Sequence, residues 1–251
     1  MTTMKRFFLA KHPLIGTKSK PAALHLQQRS PYYWWWAYLR RNAAYIACCE
    51  SGGEGELAAL YEDFGDVRGE EFRTWWGAPS NRGAYLFLEQ ALELSVQKID
   101  TPQDWDERWG DNVMVVAVNL ELGRRKAQKQ FADLLQQASF SKRGRKSLSK
   151  TLSTARYSLH RNFSASNLNV MLSVYDAVTA NNALPKDKRL KLWEIGESLK
   201  LVKTAMPAKY DNAYDRVDKH KVMTMTVSRH YNTAKAIIAN TANGQFPNSV
   251  L

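Results

Sequence analysis

Apolar residues fall at helical spacing through the second half of the chain. Leu168, Met171, Leu172, Tyr175 and Val178 form one stripe, with Ser166 placed to cap it. Leu192, Ile195, Leu199, Val202 and Met206 form a second, which Pro207 stops. A third runs from about 210 to 240, with Met223, Val227, Tyr231, Ala234 and Ile238 on one side, either as one helix or as two with a break near 224–228. Further upstream Ala127, Phe131, Leu134 or Leu135, and Ala138 recur three and four apart. The run VMVVAV at 113–118 is different. It is β-branched and bounded by Asp111, Asn112 and Asn119, which predicts a buried strand. The expected fold is therefore mainly α with a small β element (α+β) and a helical C-terminal half.

Aromatic residues interrupt this regularity. YYWWWAYLRRN begins at Tyr32, and Phe72, Trp75, Trp76, Trp105 and Trp109 follow, so seven of the eight Trp lie between 34 and 109. Consecutive aromatics cannot all point to one core, so some are expected to line a groove or a contact between elements. Stacking on bases is disfavoured as their main role, because they sit among acids that repel phosphate; core packing is preferred. With 251 residues and 44% hydrophobic content, the chain has material for a substantial core. The apolar run after Lys5 and Arg6 is too short for a signal peptide or a membrane span, which leads to the expectation of a cytoplasmic protein without a membrane partner. Cys48 and Cys49 are adjacent, which disfavours an ordinary disulfide, and their spacing fits no common zinc pattern.

Charge changes the picture more than composition does. Residues 1–41 carry +8 with no acid, residues 42–120 carry −10, and residues 121–251 carry +14, giving the net +12. Such segregation bears on partners rather than on fold, and a polyanion is the leading one. The blocks suggest a basic arm at 1–30, ordered either against a partner or not at all, then an acidic aromatic-rich unit at 31–110 and a basic helical unit at 111–251. In the last, Arg124, Arg125, Lys126 and Lys129 crowd the start of a helix, where the macrodipole opposes cations, so an anionic partner accounts for them better than helix stability does. Lys142, Arg143, Arg145, Lys146 and Lys150, with Arg156 beyond, lie in a Ser/Thr-rich loop able to bind phosphates without reading sequence.

One local motif is sharper. VSRHYNTAKAII at 227–238 resembles the recognition helix of helix-turn-helix DNA-binding proteins, in which a Val-Ser-Arg step opens the helix. That resemblance implies that Ser228, Arg229, Asn232 and Thr233 face the groove, with Lys235 beside them, while Val227, Ala234 and Ile238 face the core. The chain lacks the short glycine turn usual before such a helix. Over most of its length, the blocks SPYYWWWAYLRRN, DFGDV, FRTWW, LWEIG and GQFP are similar to those of uncharacterised proteins of bacterial prophages and other mobile elements. This resemblance implies a mobile-element context and no particular activity.

Catalytic signals are sparse. There is no Gly-rich phosphate loop, HExxH, GxSxG or CxxC pair. The acid pairs Glu62 and Asp63, Glu70 and Glu71, and Asp104 and Asp106 could bind magnesium, but surface placement explains them more simply. The expectation is a non-enzymatic nucleic-acid-binding protein without metal or cofactor, with DNA favoured. The rivals are an RNA-binding subunit of a ribonucleoprotein and an assembly factor whose acidic aromatic face docks a protein.

Overall fold

The computed structural model describes residues 6–69, 71–78, 82–90, 99, 101–104, 114–119, 121–137, 153–160 and 164–250. The chain divides into a larger unit, Met1–Ala91 with Leu148–Leu251, and a smaller one, Leu92–Ser147. Residues 31–91 of the aromatic segment and the C-terminal helices lie in the larger unit and contribute to one core, while residues 92–147 fall in the smaller.

The larger unit is built around a helix that is apolar on every side. A short turn, α1 (Leu24–Gln27), precedes α2 (Pro31–Leu39), which starts where Ser30 accepts a hydrogen bond from the Tyr32 N–H at 3.3 Å and Pro31 occupies the first helical position. Every side chain from Tyr32 to Leu39 is buried. A helix without a polar face is stable only when neighbours cover it all round, and some of the consecutive aromatics also border a cavity, where Tyr33, Trp34 and Trp36 meet Arg40 and Arg41. Trp35 is fully buried and meets the rings of Phe64, Phe87, Tyr157 and Phe246.

Shorter helices supply much of that cover. In α3 (Ala43–Glu50) Cys48 and Cys49 are both buried and unbridged. In α4 (Ala58–Phe64) and α5 (Phe72–Trp76), Phe64 stacks on Trp75, whose indole N–H donates to the Phe64 carbonyl at 2.7 Å. The basic arm is also bound in: Phe8 packs against Tyr32 and Trp76.

The C-terminal helices close the other side. After α6 (Arg124–Gln137), which belongs to the smaller unit, α7 (Ala165–Ala183) begins two residues earlier than the pattern suggests, with Ser164 rather than Ser166 accepting the capping bond, from the Asn167 N–H. Tyr175 of α7 stacks on Tyr231. The stripe from Leu192 to Met206 is only partly helical: α8 (Leu192–Ser198) ends before Lys200, whose φ of 51° lies in the left-handed region. Gly196 lets α8 approach closely, since a Cβ there would stand 2.3 Å from Met223 Cγ. The last helix, α9 (Ala213–Thr241), is continuous, without a break at 224–228. Asn212 opens it, its side chain accepting from the Asp215 N–H while the Asp215 carboxylate accepts from the Asn212 N–H.

Among the described residues β structure is minimal: β1 (Arg6–Phe7) pairs antiparallel with β2 (Glu89–Gln90) over two residues. The strand expected at 113–118 is not found. Residues 114–119 carry no regular structure, Val115 and Val118 are exposed, and Val113 lies outside the described residues. A β-branched run makes a strand only if another strand takes up its backbone groups, and none described pairs with this one.

The smaller unit contributes α6 (Arg124–Gln137), whose described side chains are all partly or fully exposed. No described helix is long and apolar enough to cross a membrane.

Candidate nucleic-acid interface

The expected interface residues fall into four groups. Arg124, Arg125, Lys126 and Lys129 are exposed on the first two turns of α6, with no acid in the first turn. Lys142, Arg143, Arg145, Lys146 and Lys150 lie outside the described residues. Arg156 belongs to the larger unit and is engaged there: its guanidinium meets the buried Asp63 carboxylate at 2.8 Å, and the Tyr157 hydroxyl donates to the same carboxylate at 2.6 Å. Ser228, Arg229, Asn232, Thr233 and Lys235 lie in the second half of α9.

Within α9 these five separate by helical position. Arg229, Asn232 and Lys235 are exposed and follow one another at three-residue steps along the outer side. Ser228 is half-buried, and so is Thr233, whose hydroxyl donates to the Arg229 carbonyl at 2.8 Å and so serves its own helix. The core side is as expected, with Val227, Ala234 and Ile238 buried. Val227 does not open the helix. It sits near the middle, because the strong start signal is the reciprocal cap of Asn212 and Asp215.

Sequence reasoning overlooked how far this outer side extends. Lys221 and Met225 continue it toward the helix start as far as the exposed Asp218, after which no Asp or Glu occurs. Lys221, Arg229 and Lys235 make no ion pair among the described residues. The result is a solvent-facing ridge from Lys221 to Lys235 with free cations and no carboxylate of its own. From Lys221 to Lys235 the rise is about 21 Å. Beside it, burial and the Arg229 cation lower the pKa of His230 from its ordinary 6.5, which keeps that ring neutral near pH 7.

The start of α9 stands clear of its neighbours. All side chains from Asn212 to Asp218 are exposed, and Tyr210 and Tyr214 are 88% and 85% accessible. The Lys209 ammonium lies 5.6 Å from the centre of the Tyr210 ring. Nearby acids are occupied in part: Asp211 binds Lys219 at 2.6 Å, which holds its carboxyl below the usual range, and Asp215 serves the cap. The signal present in the sequence was two tyrosines off the apolar stripe, with Lys209 and Arg216 beside them.

Other features offer less. Burial raises the Cys49 thiol pKa, which opposes formation of a nucleophilic thiolate. A groove of about 410 Å³ opens beside Phe64, Trp75 and Glu71, but its Asp66 is paired with Arg68 at 2.7 Å and its Arg82 donates to the Glu62 carbonyl. Among the described residues no three His, Cys, Asp or Glu side chains converge to hold a metal ion. No family model matches the chain, and no curated protein or solved structure matched it.

Proposed function

We propose that this is a non-enzymatic nucleic-acid-binding protein of the cytoplasm that holds duplex DNA in the service of a mobile element. The observation that carries this reading is the outer ridge of α9, where Lys221, Arg229, Asn232 and Lys235 face solvent without a carboxylate among them. A helix of that shape fits the major groove, with Arg229 able to form a bidentate contact to guanine and Asn232 to adenine. Arg124, Arg125, Lys126 and Lys129 on α6, with the basic run at 142–150, would supply phosphate contacts that position the protein and account for most of its affinity. The acid-free arc replaces the turn-opened recognition helix as the element presented to DNA, since Val227 lies inside α9.

Competition binding of the full chain with a selected duplex and a scrambled one tests the reading. Arg229→Ala should lose about 1 to 3 kcal/mol on the preferred site and much less on the scrambled one. Equal losses would reduce Arg229 to a phosphate contact. Absence of binding to any duplex at low salt would reject the function.

One observation favours a protein partner, on α6 rather than on the acidic aromatic face. Phe131 and Leu135 on α6 are only partly covered and Leu134 is exposed, an amphipathic face that a protein partner would bury.

A further inference from the structure

We infer that the start of α9 is a stacking site for unpaired DNA bases, so that the protein prefers duplex adjoining a single-stranded stretch. This rests on the duplex reading above and adds the strand state of the target. Tyr210 and Tyr214 present almost their whole rings to solvent, and no other ring packs on either among the described residues. An exposed pair of large aromatics is costly in water unless something covers it. Their setting selects the cover. Lys209 lies against the Tyr210 ring, Lys219 pairs with Asp211, and Arg216 and Lys221 add cations within seven residues of Tyr214, against the exposed Asp218 and an Asp215 engaged in the cap.

Aromatic faces interleaved with free cations suit a strand that offers bases and phosphates together. A purely apolar partner would leave those cations desolvated and unpaired. The buried tryptophans of α2 and α5 cannot serve, because their faces are used in the core. Position adds the link to duplex: Tyr214 lies on the same side of α9 as Arg229, about 22 Å along the axis. A duplex held at Arg229, Asn232 and Lys235 would therefore send a frayed or overhanging end past the tyrosines.

The test is fluorescence anisotropy of the full chain with three probes: a blunt duplex, the same duplex with a short thymidine overhang, and that duplex with a uridine overhang. The thymidine overhang should tighten binding at least about fivefold, the smallest effect expected of one stacked base. Y210A/Y214A should erase that gain and leave blunt-duplex affinity unchanged, while Y210F/Y214F should keep it. Both tyrosines are exposed, so unchanged melting of the variants is expected and checks that the fold is intact. Blunt-duplex binding with no gain from the overhang would overturn this inference and leave the duplex reading standing. A gain that survives Y210A/Y214A, or a larger gain with uridine, would overturn the site or its assignment to DNA. Failure of all three probes would remove both readings.

Discussion

Asn42 and Ile238 are 196 positions apart, yet the Asn42 amide donates to the Ile238 carbonyl at 2.8 Å inside the core. The other end of the same side chain accepts from the Tyr45 N–H at 3.0 Å and so caps α3. One residue thus starts a local helix and fixes it to α9. Asn42→Ala should cost about 2 to 4 kcal/mol, combining the loss of a cap with a stranded buried carbonyl. Asn42→Asp keeps the capping acceptor but removes the donor, so it should recover only part of that loss. Urea denaturation followed by circular dichroism separates the three proteins.

Glu89 is 3% exposed, and its carboxylate accepts from the Ser153 hydroxyl, the Thr154 hydroxyl and the Thr154 and Ala155 N–H groups at 2.6 to 3.0 Å. This clamp holds the returning chain to the aromatic core. Glu89→Gln turns an amide donor toward groups that are themselves donors, and should destabilise by about 2 to 3 kcal/mol. The denaturation midpoint should fall, and proteolysis near 153–157 should quicken.

Trp75 fills the space between Phe64 and Phe72 and donates to the Phe64 carbonyl. Trp75→Ala should cost on the order of 3 to 5 kcal/mol. Any loss of nucleic-acid binding should track the unfolded fraction. A variant that melts like the parent but fails to bind would move this ring into the interface.

Removing Arg124, Arg125, Lys126 and Lys129 together by alanine substitution should leave the melting temperature of the larger unit unchanged. The dependence of affinity on salt should flatten by roughly 0.9 in log-log slope for each duplex phosphate that the protein ceases to neutralise. Anisotropy titrations across a salt series measure it, and an unchanged slope would take α6 out of the interface.

His230 gives the fold a pH dependence of known sign. Its pKa is lowered in the folded chain, first by burial and then by Arg229, so the unfolded chain binds the proton more readily. Its contribution is fully present above about pH 6.5, the ordinary value, and is lost as pH falls through the lower folded pKa. His230→Gln should lessen the fall in stability between pH 7 and pH 5, as read from denaturation midpoints.

The C-terminal helices were legible because their signals are local. Leu168, Met171, Leu172 and Val178 sit at helical spacing and are buried on α7, and Val227, Ala234 and Ile238 do the same on α9. Long-range partnership was not legible. Nothing beside Val115 says that no strand will pair with it, and nothing beside Trp35 says that Phe246 will cover it. Charge gives the sign of the proposed interface but not which cations are free to form it. Arg156 and Lys219 look like the free cations around them, yet each is held by an aspartate far off in the chain or two turns away. The outer ridge of α9 was half visible through Arg229, Asn232 and Lys235; Tyr210 and Tyr214 were passed over because exposure cannot be read from residue type.

The all-round burial of α2 sets a problem of timing during synthesis. This helix ends at Leu39, but the Ala234, Ile237 and Phe246 side chains that share its core are made some 200 residues later. At roughly 5 to 20 residues per second, the tryptophan-rich segment waits about 10 to 40 seconds for them. During that interval the nascent chain exposes its most apolar helix, so full-length yield should depend on chaperone supply and on translation speed more than final stability would suggest.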